Sequence, residues 1–183
     1  MRSSKSLAAA LSAPLIVALS AMPALAQTDE DLIAEAMSAA PRTVAENATI
    51  MAFNPDGSMR KLRDGSNNFV CMSDDPSPGH NPMCLDQNAM AWAEAWINKT
   101  EPPANKVGFG YMLAGGGTPS NLDPYATEPS GGGEPKVEPP HVMIFNLPEP
   151  AMDYARPDED VDMSQPWVMW KDTPYEHLMI PVE

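Results

Sequence analysis

The chain has 183 residues, with 11 Lys and Arg against 25 Asp and Glu, for a formal net charge of −14. That balance argues against nucleic acid, since neutralising phosphates needs clustered Lys and Arg, and equally against anionic membrane surfaces. It keeps a chain soluble and favours cationic ligands or partners, beside the plainer reading of a solvated acidic surface.

Residues 1–26 read as a signal peptide. Arg2 and Lys5 precede an apolar run from Leu7 to Leu19, and Ala24-Leu25-Ala26 forms a small-x-small cleavage site before Gln27. The run is too short and wrongly flanked for a membrane span. No Cys follows it to carry a lipid, so no membrane anchor is expected after cleavage. The expectation is export, to the periplasm or outside the cell. Without the leader, nine Lys and Arg face 25 Asp and Glu, a net charge of −16. Residues 27–183 suit one exported domain with a real core. Cys71 and Cys84 are the only cysteines. In an oxidising compartment they are expected to form a disulfide. The alternative is a metal-binding thiol pair with His80 between them.

Thr28-Asp29-Glu30-Asp31 opens the domain as a capped, acidic helix start. Leu32, Ile33, Ala36 and Met37 continue at helical spacing to Pro41, predicting a short helix over residues 29–40. Three strands are then predicted at 48–53, 58–63 and 68–72, joined by Asn-Pro-Asp-Gly and Asp-Gly-Ser-Asn turns, which reads as a meander. Arg60, Lys61 and Arg63 form either an anion site or, as favoured here, a solvated face paired with acids. Residues 73–83 read as a Pro/Gly-rich loop. Asp86 is then placed to cap a helix over 87–98, with Ala89, Trp92, Ala93, Trp96 and Ile97 on one face.

A fourth strand is expected at 107–113. The segment 114–140 reads as one long Gly/Pro-rich loop without a phosphate-binding pattern. Within it, Asn121 and Asp123 either make turn hydrogen bonds or line a pocket. A strand over 141–146 follows. An acidic connection comes next, in which Asp158, Glu159, Asp160 and Asp162 lack the spacing of a calcium loop. The chain closes on two short apolar strands around Lys171-Asp172-Thr173-Pro174. The expected fold is α+β: a mainly antiparallel sheet of about five to seven strands, one main amphipathic helix packed on it, and a short N-terminal helix.

Two strands echo each other: His141-Val142-Met143-Ile144 and His177-Leu178-Met179-Ile180. In each, His and Met share a face. If the strands are neighbours, His141, Met143, His177 and Met179 form a soft donor set suited to copper. The plainer reading makes them buried residues of central strands, with Val142, Ile144, Leu178 and Ile180 on the opposite faces.

No Gly-x-Ser-x-Gly or His-Glu-x-x-His pattern is present, and a His–Asp pair with Ser120 or Thr173 is only one of many such sets. The sequence therefore leans away from an enzyme. The leading expectation is a binding module for a small molecule or protein partner, with no cofactor, using His141, His177, Asn121, Asp123 and Tyr175. Copper handling and a hydrolase with a nonstandard site are the alternatives.

Phe69-Val70-Cys71, Pro82-Met83-Cys84-Leu85-Asp86, Ala91-Trp92-Ala93-Glu94-Ala95-Trp96, Gly110-Tyr111-Met112-Leu113, Ser120-Asn121-Leu122-Asp123-Pro124, Pro140-His141-Val142-Met143-Ile144 and the stretch from Thr173 to Val182 together carry a resemblance. The combination resembles a group of exported bacterial proteins with no assigned activity. It covers nearly all of residues 27–183 and implies export and a shared single domain. It brings no catalytic or ligand residues with it.

Overall fold

The computed structural model describes residues 27–76, 79–148 and 151–182, so the expected leader at 1–26 lies outside the described residues. Helix α1 (Asp29–Ser38) starts as expected: Thr28 Oγ1 accepts from the Asp31 backbone N–H, and the Asp31 carboxylate accepts from the Thr28 N–H. A single turn, α2 (Arg42–Ala45), follows. Helix α3 (Gln87–Ile97) is capped by Asp86, whose Oδ1 accepts from Ala89 N at 2.8 Å. Its buried side chains are Ala89, Trp92 and Ala95, while Ile97 is exposed rather than on the core face.

The expected five to seven strands are too few. An eight-stranded sheet is built from β1 (Thr49–Phe53), β2 (Met59–Arg63), β3 (Phe69–Met72), β4 (Met83–Asp86), β5 (Gly108–Met112), β8 (His141–Phe145), β9 (Trp167–Met169) and β10 (His177–Pro181). A separate pair, β6 (Gly116–Thr118) and β7 (Lys136–Glu138), lies inside the expected long loop. The large sheet runs β2-β1-β3-β4-β5-β8-β10-β9 and is mixed, because β1 and β3 are parallel.

The expected meander is therefore corrected. β2 is largely polar and suits an edge, whereas apolar β3 needs neighbours on both sides and crosses the start of β1 to find them. The Asn47 carbonyl accepts from Ser66 and Asn67 N–H groups at this crossing. The Arg60–Asp29 and Lys61–Asp64 ion pairs, and the bonds of Arg63 to the Ala45 and Ala48 carbonyls, occupy the basic trio.

Strand alternation divides the core into two faces. On one face, Cys71, Cys84 and Ile50 pack under Ala36, Ala39, Ala45 and Ala48, so a surface of small residues brings α1 and α2 close to the sheet. The disulfide joins Cys71 and Cys84, which are directly opposed between β3 and β4. Farther along the same face, Leu178, Val168 and Ile144 pack against Met152 and Leu147 of the connection after β8. The other face carries Leu85, Met112, Met143, Phe145, Met169 and Met179, with Trp92 of α3 above them. Both faces of β8 and β10 are thus covered, as their sequence implies.

Helix α3 lies very close to β5. A Cβ placed on Gly108 would fall 2.4 Å from Ala89 N and 2.7 Å from Ala89 Cα. Backbone cannot give way as a side chain can, so this glycine sets the height of α3 over the sheet. Gly108→Ala is expected to lower unfolding stability by about 3 kcal/mol, as overpacking does, measured by urea denaturation.

Candidate functional site

Between α3 and the sheet lies a cavity of about 480 Å³. Its floor is sheet: Met83 and Leu85 from β4, Met112 from β5, Met143 and Phe145 from β8, Met169 from β9, and His177 and Met179 from β10. Trp92, Ala93 and Trp96 of α3 form one wall. Gly110 keeps the floor low, since a Cβ there would meet Leu85 Cδ2 at 2.7 Å and Met143 Cε at 2.9 Å. The roof is the segment 117–127, including Asp123 and Tyr125.

Tryptophan side chains hold that roof. Trp96 Nε1 donates to the Pro124 carbonyl at 3.1 Å, Trp167 Nε1 to Asn121 Oδ1 at 3.1 Å, and Trp170 Nε1 to the Ser120 carbonyl at 3.1 Å. Tyr125 Oη returns a bond to the Trp96 carbonyl at 2.8 Å. From the other side, Glu159 accepts from Ser120 Oγ and Asn121 N, and the Asn121 amide donates to the Pro157 and Asp158 carbonyls. The acidic run thus anchors a loop. Asp158 also pairs with Lys171, and Asp162 caps Ser164.

The fourth tryptophan differs. Trp92 Nε1 is buried and has no hydrogen-bond partner. Among the described residues two further atoms share that condition, Glu138 Oε1 and His141 Nε2. Glu138 lines the cavity and is only 4% exposed. Its Oε2 lies 4.0 Å from His141 Nε2, beyond hydrogen-bond reach. His141 Nδ1 is bonded to the Pro139 carbonyl at 2.7 Å. A carbonyl only accepts, so Nδ1 carries the proton and Nε2 presents a lone pair. The same logic applies to His177, whose Nδ1 meets the Tyr175 carbonyl at 3.0 Å. The His177 ring sits among Trp92, Phe145 and Trp170.

These surroundings set the charges. Burial pushes Glu138 up to about 7. Burial pushes His177 down to about 4, against the pull of the Tyr175 carbonyl, with His141 lowering it further. His141 is also lowered by burial, partly offset by the Pro139 carbonyl. At neutral pH both rings are uncharged.

The candidates read from sequence separate. His177, Asp123, Met143 and Met179 line the cavity, whereas His141, Asn121 and Tyr175 do not. Asn121 is a buried structural tie. Tyr175 is buried edge-on to Trp92 and donates to the Thr100 carbonyl. β8 and β10 are neighbours, but they run antiparallel. Met179 therefore opposes Met143, while His177 opposes Phe145 and His141 opposes Pro181. The donor set shares one face, with its histidines at opposite ends.

Ser120 Oγ donates to Glu159 and Thr173 Oγ1 to the Trp170 carbonyl, so neither hydroxyl meets a histidine. Both thiols are taken by the disulfide, which removes them as metal ligands. His80 instead meets Asp74 at 3.3 Å and Glu35 at 3.8 Å, three donors within 4.8 Å of one another.

Sequence reasoning missed Glu138, one of 25 acids, with only its position before Pro139-Pro140-His141 to mark it. It also missed Met83, Met112 and Met169 as lining residues, because their strands were not yet placed side by side. Comparison with known protein families, with curated proteins and with solved structures finds no match to this chain.

The two kinds of buried group have opposite pH signatures. Unfolded, Glu138 loses its proton near 4.5, but in the fold it holds it to about 7. Its contribution therefore falls as pH rises through that window. His177 gains a proton near 6.5 when unfolded but resists it to about 4 in the fold, so its contribution falls as pH drops through that range. Between pH 4.5 and 6.5 the two oppose each other. Glu138→Gln is expected to give a melting temperature that climbs with pH across this window, and His177→Gln one that declines, both measured by circular dichroism against a flatter wild type.

Proposed function

We propose that this chain is an exported binding module for a small, largely apolar molecule held in the cavity between α3 and the sheet. The observation that carries the reading is the cavity itself: about 480 Å³, walled by Trp92, Trp96, Trp170, Phe145 and five thioethers, with few polar groups at its edge. Size and lining match what small-molecule sites require. Methionines suit such a floor because an unbranched thioether adapts to irregular shapes. Export is supported by the leader-like first residues and by the disulfide, which forms and persists in oxidising compartments. Among the described residues no helix is long and apolar enough to cross a membrane.

The neutral fluorophore N-phenyl-1-naphthylamine tests the reading. Its emission is expected to rise and saturate with the wild-type chain. Ala93→Trp, which fills the cavity from the helix side, is expected to abolish the rise while leaving the melting temperature within a few degrees. An unsaturable response, or one unchanged by Ala93→Trp, overturns the proposal.

Copper handling is a second reading, favoured by one observation: Met83, Met112, Met143, Met169, Met179 and the uncharged His177 line the same space. Thioether and imidazole are ligands for soft and borderline metals. That reading predicts one Cu(I) bound per chain against a competing chelator, lost in Met143→Leu/Met179→Leu. Fluorophore binding with no Cu(I) uptake leaves only the organic ligand.

A further inference from the structure

We infer that the ligand carries a primary or secondary ammonium group on an apolar body, with its nitrogen seated against Glu138; the inference rests on the cavity being a binding site. Acceptors gather at and just behind the Glu138 edge of the cavity. Glu138 Oε1 has no partner, and the His141 Nε2 lone pair lies 4.0 Å from Oε2. Asn81 Oδ1 is oriented by the Gly117 N–H at 2.8 Å. A Cβ on Gly116 would lie 3.1 Å from Glu138 Oε2 and 3.4 Å from Asn81 Oδ1, so both oxygens converge over this glycine. Facing acceptors repel one another unless a donor stands between them. An ammonium supplies two or three N–H donors and the missing charge together.

The charge pattern agrees. Glu138, Asp75 and Asp123 line the cavity, and no Lys or Arg does among the described residues. An anion would meet these carboxyl groups with no Lys or Arg in the lining to hold it. Beside a neutral molecule the buried Glu138 carboxylate would have no partner, and the group would hold its proton instead. Beyond this edge the walls are indole and phenyl rings, and ring faces attract cations. The net charge of the chain draws a cation inward. Lys99 Nζ, 4.6 Å from the Tyr125 ring centre, already occupies one aromatic face at the roof, which points the ligand's nitrogen to the Glu138 edge instead.

Seating an ammonium requires an ionised Glu138, and its carboxyl titrates near 7 when buried alone. Affinity for an amine is therefore expected to rise from pH 6 to pH 8. Glu138→Gln separates this trend from any contribution of the other titratable groups nearby. Burial disfavours the charged form of both His141 and His177, and Asp75 and Asp123 line the same cavity. Lys136, two residues earlier on β7, is exposed, and His80 and Glu134 border a second cavity of about 360 Å³ that Glu138 also borders.

Isothermal titration with 4-phenylbutylamine and with 4-phenylbutan-1-ol, an uncharged analogue of the same length, tests this. At pH 7.5 the amine is expected to bind about tenfold or more tighter than the alcohol, the usual scale of a charged hydrogen bond. Glu138→Gln should erase the difference by weakening the amine alone, and in the wild type the preference should shrink at pH 6. Equal binding of amine and alcohol, or a preference that survives Glu138→Gln, overturns the inference. So does binding of the naphthylamine fluorophore with neither phenyl compound. Each of those results leaves the cavity reading standing, whereas failure of the fluorophore as well removes both.

Discussion

The segment 117–127 has strand pairing only at its start, so the backbone polar groups of the rest must find partners elsewhere. Indole N–H groups supply them at Ser120 and Pro124, and a third holds the Asn121 side chain. The donors come from α3, from β9 and from the turn after β9. One short segment therefore ties the helix to the far edge of the sheet. Without those bonds the roof would have no fixed height over Met143 and Met179, and the space beneath would close or flood. The cavity is a consequence of where three tryptophans find their hydrogen bonds.

Strand alternation does the rest. On β8 and β10 one set of side chains packs on the connection after β8 while the other set faces α3. A slip of one residue would send His177 and Met179 to the wrong side. The glycines of β5 act within the same constraint, Gly108 under the helix backbone and Gly110 under Met143 and Phe145. The disulfide works on the other face, where alanines let α1 approach until the Ala36 carbonyl lies 3.7 Å from Cys84 Sγ. The two faces are thus built differently: one close and small, the other wide and lined with large adaptable side chains.

Much of this was legible in the sequence because it depends on local rules. The Thr28 capping box, the Asp86 cap, the stripe containing Trp92 and the closing hairpin are each set by residues within a few positions of one another. β4 was not legible, since its four residues follow a Pro-rich loop and run directly into a helix cap. Nor were β6 and β7, because Gly116 and Gly117 carry no periodicity and pair with a strand 20 residues away. The place of β3 beside β1 is a tertiary choice, made by the need to bury an apolar strand. The echo of His141 and His177 puts His and Met on one side within each strand, and the register sets both pairs on one face of the sheet. The echo alone could not say that antiparallel pairing would set the two rings at opposite ends.

Glu138 falls outside local rules altogether, and its energetics explain why it matters. Holding its carboxyl ionised at neutral pH costs the fold on the order of 3 kcal/mol. His141, 4.0 Å away, is itself disfavoured as a cation by burial and contributes a lone pair where a donor is needed. The fold thus spends part of its stability on an acid that nothing among the described residues neutralises, at the edge of the apolar cavity under α3. A packed core would remove that cost with any aliphatic side chain of similar size. A site that must recognise a positive end on an apolar body has a use for it, because the same burial that makes the empty carboxyl costly strengthens its attraction to a cation that arrives with N–H donors.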